Sequence, residues 1–330
     1  MFSKYDYKQL LHNLPEIQFQ DMVLDLFRYQ SQNNIIYKKY LGYLGIKVEE
    51  VSELFQIPFL PIEFFKTHAI KTGEFDPEAI FQSSGTTQTS RSRHFLPELN
   101  YYLHHAQRLF EFVYGPVTDY IFFALLPSYL EQGNSSLVAM VNHFIKQSGQ
   151  QFQGFYLNEI SELLANLGQA RKTGKKIMLF GVTYALLDLA ENVEKGALAD
   201  VIIMETGGMK GRRKEMVREE LHVILQEAFG VDSIHSEYGM TELLSQAYSK
   251  GKGIFEPSPT LKILLRDPND PFSMQNNLRS GGINVIDLAN IDSCAFIETK
   301  DIGKLYPDGR FEVLGRFDNS DIRGCNLLVT

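Results

Sequence analysis

Two cysteines, Cys294 and Cys325, are the only thiols in 330 residues. So few exclude a disulfide framework and a four-cysteine zinc site. A basic excess is also missing. The formal net charge is −8, which argues against a generic nucleic-acid binder, because phosphate backbones are met by surplus Lys and Arg. No apolar run approaches the length of a membrane span, and the opening Met-Phe-Ser-Lys-Tyr-Asp has no apolar core of the kind a secretory signal needs. A soluble cytoplasmic protein, with no stable membrane insertion and no nucleic-acid partner, is the expectation. Internal repeats and low-complexity tracts are lacking too. What is present is 44% hydrophobic residues, ample for one large packed domain or two.

Taken in order, the chain opens with helices. Phe19, Met22, Val23, Leu26 and Phe27 recur with helical spacing, and a second helix is expected over 35–44. The prolines at 58 and 61 then interrupt the chain. A further helix is expected between Pro97 and Gly115, with Tyr102, His105, Ala106, Leu109 and Val113 on one face. On such a face His104 and His105 read as packed or solvated residues before they read as acid–base groups. Strand and helix then alternate: strands over 120–126, 151–157, 176–180 and 200–205, and helices over 135–147, 159–171, after Thr183, and over 213–229. That alternation implies a mainly parallel sheet with helices on its faces, which binds ligands at the carboxyl ends of its strands. From residue 261 the strands are short and separated by Gly, Pro and Asp turns (261–265, 283–288, 294–298, 311–314), as in an antiparallel sheet or small barrel. The expected organisation is a helical segment over 1–75, an α/β core over 76–258, an antiparallel β subdomain over 259–314 and a hinge-like segment over 315–330.

Four polar motifs fall at strand ends or in loops. The first lies within Phe-Gln-Ser-Ser-Gly-Thr-Thr-Gln-Thr-Ser at 81–90, which holds six hydroxyl side chains and one glycine. Ser83, Ser84, Thr86 and Thr87 with Gly85 can turn hydroxyls and backbone N–H groups toward one anion. It is not a Walker loop, because no Gly-Lys-Ser/Thr follows; a plain solvated loop is the alternative. The second motif, Glu-Thr-Gly-Gly-Met-Lys-Gly-Arg at 205–212, places Gly207 and Gly208 where a flat base or a phosphate could approach, with Lys210 and Arg212 adding positive charge. The third, Ser-Glu-Tyr-Gly-Met-Thr-Glu at 236–242, combines Tyr238 for stacking, Gly239, the hydroxyl of Thr241 and a carboxylate, Glu242, suited to Mg²⁺. Glu237 and Glu242 read equally as ordinary exposed acids. The fourth is Thr-Lys-Asp at 299–301, whose Asp301 could accept from two ribose hydroxyls, followed by Gly-Arg-Phe-Asp at 315–318 with Arg316.

In this order the motifs resemble those of the adenylate-forming superfamily of acyl-CoA ligases, adenylation domains and luciferases. Ser-Ser-Gly-Thr-Thr matches its phosphate loop, Tyr-Gly-Met-Thr-Glu its next signature, Thr-Lys-Asp its ribose-binding Thr-Gly-Asp, and Gly-Arg-Phe-Asp its hinge. The 205–212 segment and the ending Ile-Arg-Gly-Cys-Asn-Leu-Leu at 322–328 are similar to the acyl-protein synthetase (LuxE-type, long-chain-fatty-acid–protein ligase) branch. Departures accompany the matches. Gln88 stands in place of a glycine, no lysine follows the phosphate loop, and Lys300 replaces the glycine of Thr-Gly-Asp. The sequence also stops just past the hinge, without the mobile C-terminal domain that carries a catalytic lysine in most of the superfamily.

The resemblance implies the fold of the superfamily's N-terminal domain, ATP and Mg²⁺ as cofactors, and a carboxylic acid, a fatty acid by this branch, activated as acyl-AMP. It implies that Ser83, Ser84, Gly85, Thr86 and Thr87 cradle the phosphates, that Thr241 contacts the α-phosphate, and that Glu242 holds the metal. Gly207, Gly208, Tyr238 and Gly239 would border the adenine, and Asp301 and Arg316 would fix the ribose. Lys210, Arg212, Arg91 and Arg93 are the cations available in place of the missing lysine. It implies Cys325 as acyl acceptor, with Arg323 favouring its thiolate, while Cys294 belongs to the core. Transfer to CoA by an acyl- or aryl-CoA ligase, and a non-catalytic nucleotide-binding or docking module, are the competing readings. An acyl-donor or reductase protein partner is compatible with the first. Tyr129, Phe180 and Tyr184 are the apolar residues expected near the acid.

Overall fold

The computed structural model describes residues 3–11, 19–83, 91–127, 133–207, 216–268, 270 and 279–317. Helices α1 (Lys4–Leu10), α2 (Phe19–Asn33) and α3 (Ile35–Tyr43) open the chain. As the spacing predicts, α2 buries Met22, Val23, Leu26 and Phe27, and Asn34 caps α3 by accepting from the Tyr37 amide at 3.0 Å. Strand β1 (Leu60–Pro61) and helix α4 (Phe64–Thr67) follow. A separate hairpin of β2 (Ala79–Gln82) and β3 (Arg93–Leu96) comes next. The alternating part then runs α5 (Leu99–Tyr114), β4 (Tyr120–Leu125), α6 (Ser136–Ser148), β5 (Gly154–Phe155), α7 (Ile160–Ala170), β6 (Lys176–Gly181), α8 (Thr183–Asn192), β7 (Val201–Glu205) and α9 (Arg218–Phe229). Strands β8 (His235–Tyr238), β9 (Ala247–Ser249), β10 (Ile254–Pro257), β11 (Leu261–Arg266), β12 (Ser280–Asp287), β13 (Phe296–Leu305) and β14 (Phe311–Arg316) complete it.

The α/β class with a mainly parallel sheet between helices is as expected. β5, β4, β6, β7 and β8 are parallel neighbours, and all six residues of β4 are buried, as a strand covered on both faces requires. Helices α6 and α9 end at Gly149 and Gly230, whose φ of 62° and 75° put them in the left-handed conformation that stops a helix.

Three local expectations differ from the structure. The 151–157 strand shrinks to two residues because Phe152 takes φ 69° and breaks the extended run. The helix expected from 213 is found from Arg218. The antiparallel strands are not hydrogen-bonded apart from the parallel ones: β9 and β10, too short to stand out in the sequence, connect β8 to β14. The sheet therefore runs β11-β12-β13-β14-β10-β9-β8-β7-β6-β4-β5, with β1 added beside β13.

Buried apolar residues form two clusters. One packs α5–α9 on the parallel strands. The other packs α1–α4 against the antiparallel strands. The helical N-terminal segment is tied down by polar groups as well. Gln30, fully buried, donates to the carbonyls of Asn290, Ile291 and Ser293 and accepts from the Ala295 amide. Lys4 and Lys8 both meet Asp292.

One segment belongs to both clusters. Between β8 and β9, Leu243 packs into the antiparallel-side cluster and its neighbour Leu244 into the parallel-side one. The carboxylate of Asp287, at the end of β12, fixes that crossing. It accepts from the Leu244 amide at 2.7 Å, the Ser245 amide at 3.0 Å, the Ser245 hydroxyl at 2.6 Å and the Ala289 amide at 3.0 Å. Its burial is complete and pushes the carboxyl pKa up against those four donors. Asp287→Ala leaves three buried amides without an acceptor. It is expected to lower stability by about 3 kcal/mol or more, seen as a fall in urea midpoint with an unchanged m value; a midpoint within error of wild type would contradict this role.

Candidate functional site

The parallel strands end in register. Leu125 of β4 pairs with Gly181 of β6, Gly181 with Glu205 of β7, and Glu205 with Ser236 of β8. Beyond this edge lies a cavity of about 200 Å³ lined by Gln82, Ser83, Arg91, Thr206, Gly207, Glu237, Gly239 and Thr241, with Ser135, Ser136 and other residues of α6. Its place at the carboxyl edge of the parallel strands is where open α/β sheets bind ligands.

One wall suits an anion. Ser83 stands at the base of the β2–β3 hairpin, where its hydroxyl accepts from the Ser92 amide at 3.0 Å and its own amide donates to the Ser92 carbonyl. The Gln82 amide donates to the Asn134 carbonyl, which joins the hairpin to the entrance of α6. The start of α6, capped by Ser135, faces the same space, so its N-terminal amides and partial positive charge join Ser83 and Arg91. The hydroxyl motif is thus the connection of a two-stranded hairpin laid over the sheet, not a strand end of the parallel sheet itself. Its Ser84, Gly85, Thr86 and Thr87 lie outside the described residues, as do Gly208, Lys210, Arg212, Tyr129, Arg323 and Cys325.

The segment after β8 forms a second wall. Thr241 lines the cavity, and its carbonyl accepts from His94 Nδ1 at 2.8 Å. The Glu242 carbonyl accepts from Asn290 Nδ2 at 2.7 Å. The hairpin thus holds one carbonyl and the antiparallel half the other. The Glu242 side chain is 5% exposed and accepts from the Ser92 hydroxyl. Burial raises its pKa, while Ser92, Arg316 and Lys66 offset part of that rise. It is not an ordinary surface acid. His94, counted in the basic run of the sequence, is neutral, because burial lowers its pKa to about 4.

Tyr238, Asp301 and Arg316 form a third group. The Tyr238 hydroxyl donates to Asp301 Oδ2 at 3.0 Å, and Arg316 Nε lies 3.3 Å from Asp301 Oδ1. The pairing of β13 with β14 puts Asp301 opposite Arg316. Burial raises the Asp301 pKa, and Arg316 partly opposes it. Arg316 also acts on Glu242, so the second and third groups are within electrostatic reach of each other. Lys300, which replaces a glycine of the resembled motif, points to other business: its ammonium lies 2.6 Å from Glu63 of the N-terminal segment.

Other residues fall differently from the sequence reading. Phe180 is fully buried, packed among Phe122 and Phe144 in the core, and neither it nor Tyr184 lines the cavity. Cys294 is fully buried, and burial pushes its thiol up to about 12, which makes it an inert core residue. His105 is also structural, within a buried network with Ser245, Thr260 and Arg108. Sequence reasoning passed over Ser92, His94, Glu205 and Gln246. Glu205 had left a legible signal, a carboxylate closing an otherwise apolar strand.

No family model matches the chain, and no curated protein resembles its sequence. Solved structures do resemble its fold. ATP-bound MatB from Rhodopseudomonas palustris superposes with a TM-score of 0.55 at 16% identity, over 74% of this chain and 49% of that one. O-succinylbenzoate coenzyme A synthetase (MenE) from Bacillus subtilis, in complex with ATP and magnesium ion, superposes with a TM-score of 0.51 at 17% identity, over 74% and 53%. What is shared is the fold, an α/β fold with a mixed, mainly parallel sheet flanked by helices. The chain spans about half the length of these structures. Among the described residues no helix is long and apolar enough to cross a membrane.

Glu237 gives the site a measurable signature. Burial and the Glu205 carboxylate raise its pKa to about 8. The folded protein therefore keeps a proton that the unfolded chain, with an ordinary carboxyl, releases near pH 4.5. Stability should fall as pH rises through this window, by up to ~1.4 kcal/mol per pH unit. Glu237→Gln removes the effect, so the variant should gain on wild type steadily from pH 5 to pH 8 in urea unfolding. A difference that does not vary with pH would contradict the assignment.

Proposed function

We propose that the chain activates a carboxylic acid with ATP and passes the acyl group to a thiol, in the manner of an acyl-protein synthetase of the LuxE type. A carboxylate oxygen attacks the α-phosphorus, the bond to the bridging oxygen breaks, and pyrophosphate leaves with that electron pair, giving acyl-AMP. A thiolate then attacks the acyl carbon, and AMP leaves. Cys325 is the acceptor in this proposal, and Lys210 supplies charge near the phosphates. The observation that supports the reading is that the β2–β3 hairpin, the start of α6 and Thr241 line one cavity at the carboxyl edge of the parallel strands, with Arg316 of the Tyr238–Asp301–Arg316 group acting on the neighbouring Glu242, on a fold whose solved examples include ATP complexes.

The chemistry asks for positioning and charge, with little covalent work from the protein before the thiol acts. Ser83 with Ser84, Gly85, Thr86 and Thr87, together with Arg91 and the start of α6, would hold phosphate oxygens. Thr241 would donate to the α-phosphate. Asp301 has one oxygen against Tyr238 and the other against Arg316, and its remaining lone pairs suit two ribose hydroxyls. Gly207, Gly208 and Gly239 would let an adenine lie close to the backbone. The residues also fit Mg²⁺. Glu242 is a buried carboxylate whose ionised form burial disfavours, so a cation beside it would be welcome, and Mg²⁺ takes one or two carboxylates with phosphate oxygens and water. When bound, the metal would neutralise charge on the phosphates.

Exchange of labelled pyrophosphate into ATP, dependent on acid and Mg²⁺, is the expected result. Thr241→Val and Glu242→Gln should each reduce it by about 10²-fold. Folded protein that exchanges with no fatty, aryl, short or amino acid would overturn the adenylation reading. Intact mass after incubation with ATP and the active acid should show an acyl adduct that Cys325→Ser abolishes. An adduct that survives, or acyl-CoA formed in solution when CoA is added, would assign the acceptor elsewhere.

A further inference from the structure

The floor of the cavity is acidic in a way that adenylation does not use. Glu237 and Gln246 both line it. The Glu237 carboxylate folds back over Gly239, where any Cβ would overlap its Oε1 and come within 3.5 Å of Gln246 Cγ. A side chain at this position would have to displace the end of the Glu237 side chain. Gln246 is 3% exposed, and its Oε1 has no hydrogen-bond partner among the described residues. Its Nε2 is engaged by the Leu244 carbonyl, which fixes the carbonyl oxygen as the free end. Behind Glu237 stands Glu205, whose Oε1 accepts from Thr183 and from the Gly207 amide. Its Oε2 is buried without a hydrogen bond, the Arg218 Nε being 4.0 Å away, too far for one. Buried acceptors left unmet are costly. Among the described residues, no donor meets the Gln246 carbonyl oxygen or Glu205 Oε2.

We propose that this floor receives the ammonium group of the acid that is activated, so that the substrate is a small amino-bearing carboxylic acid and not a plain fatty acid. An ammonium brings three N–H donors and a positive charge to the Glu237 carboxylate and the Gln246 carbonyl, with Glu205 behind. An alkyl chain would leave all of them unmet. Burial, and second to it the Glu205 carboxylate, raise the Glu237 pKa; a bound ammonium would favour its ionised form. Arg91 and the start of α6, which line the same cavity, suit the anionic end. The identity of the activated carboxylate rests on the adenylation reading, whereas the amine site stands on the floor itself.

The test pairs amino acids with analogues in which methyl replaces ammonium, for example β-alanine, γ-aminobutyrate, phenylalanine and aminomethylbenzoate against their methyl counterparts. Two readouts are used: pyrophosphate exchange, and the melting temperature of the full chain without ATP. For the best pair, kcat/KM should favour the amino member by at least about tenfold, and that member alone should raise the melting temperature. Glu237→Gln and Gln246→Met should each collapse the ratio. Amine-selective stabilisation with no exchange for any acid would uphold the floor and refute adenylation. Exchange that is equal for, or favours, the methyl analogues would refute the amine site and leave adenylation standing. Stabilisation by Mg²⁺ or Ca²⁺ alone, lost in Glu237→Gln and without amine selectivity, would make the floor a metal site and overturn the proposal.

Discussion

The Asp287 carboxylate does for this fold what no apolar contact could. The chain must cross from the core under the antiparallel strands to the core under the parallel ones. It does so within two residues, Leu243 and Leu244. A crossing that tight leaves backbone amides pointing inward with no ladder to join. Asp287 meets two of them, together with the Ser245 hydroxyl and the Ala289 amide. Buried donors must be met, and a carboxylate accepts from more of them than any neutral side chain. Once those amides are fixed, the preceding residues have little freedom. Thr241 lines the cavity, and the carbonyls of Thr241 and Glu242 are held by His94 and Asn290.

The site follows from that constraint. Its contributors come from elements far apart in sequence: a hairpin over the sheet, the start of α6, the ends of β7 and β8, and the β13–β14 pair. Each is rigid for its own reason, and the 238–248 segment is where they meet. The polarity of the cavity is mixed as well. Hydroxyls, Arg91 and a helix N-terminus line it together with Glu237 and Gln246. A ligand that satisfies both must carry negative and positive groups at once, and a nucleotide together with an amino-bearing acid does so.

Much of this was legible beforehand, for identifiable reasons. The parallel strands could be read because burial on both faces makes them continuous apolar runs, as at 120–125 and 201–204. The helices could be read from their period and their glycine stops. Thr241, Glu242, Asp301 and Arg316 stood out because polar motifs at the ends of apolar runs are conspicuous. What could not be read depends on contacts distant in sequence. Strands β9 and β10 are three and four residues long and carry no period. His94 in a basic run looks like a surface residue, and only the Thr241 carbonyl reveals its place. Nor does anything near 287 or 30 in the sequence say that Asp287 and Gln30 would be fully buried; each is defined by partners about 40 and 260 residues away. Phe180 and Tyr184 misled because an aromatic in a strand or helix is core by default, and neither lines the cavity.

The central claim is that both halves of the sheet contribute to a single ligand site, joined through the 238–248 segment. Hydrogen exchange of the full chain, with and without ATP and Mg²⁺, tests this most directly. The account predicts that nucleotide slows exchange together in the β2–β3 hairpin, in residues 237–245 and at the Asp301–Arg316 end of β13 and β14, with the N-terminal helices unchanged. Protection confined to one half of the sheet, or none at saturating nucleotide, would contradict it.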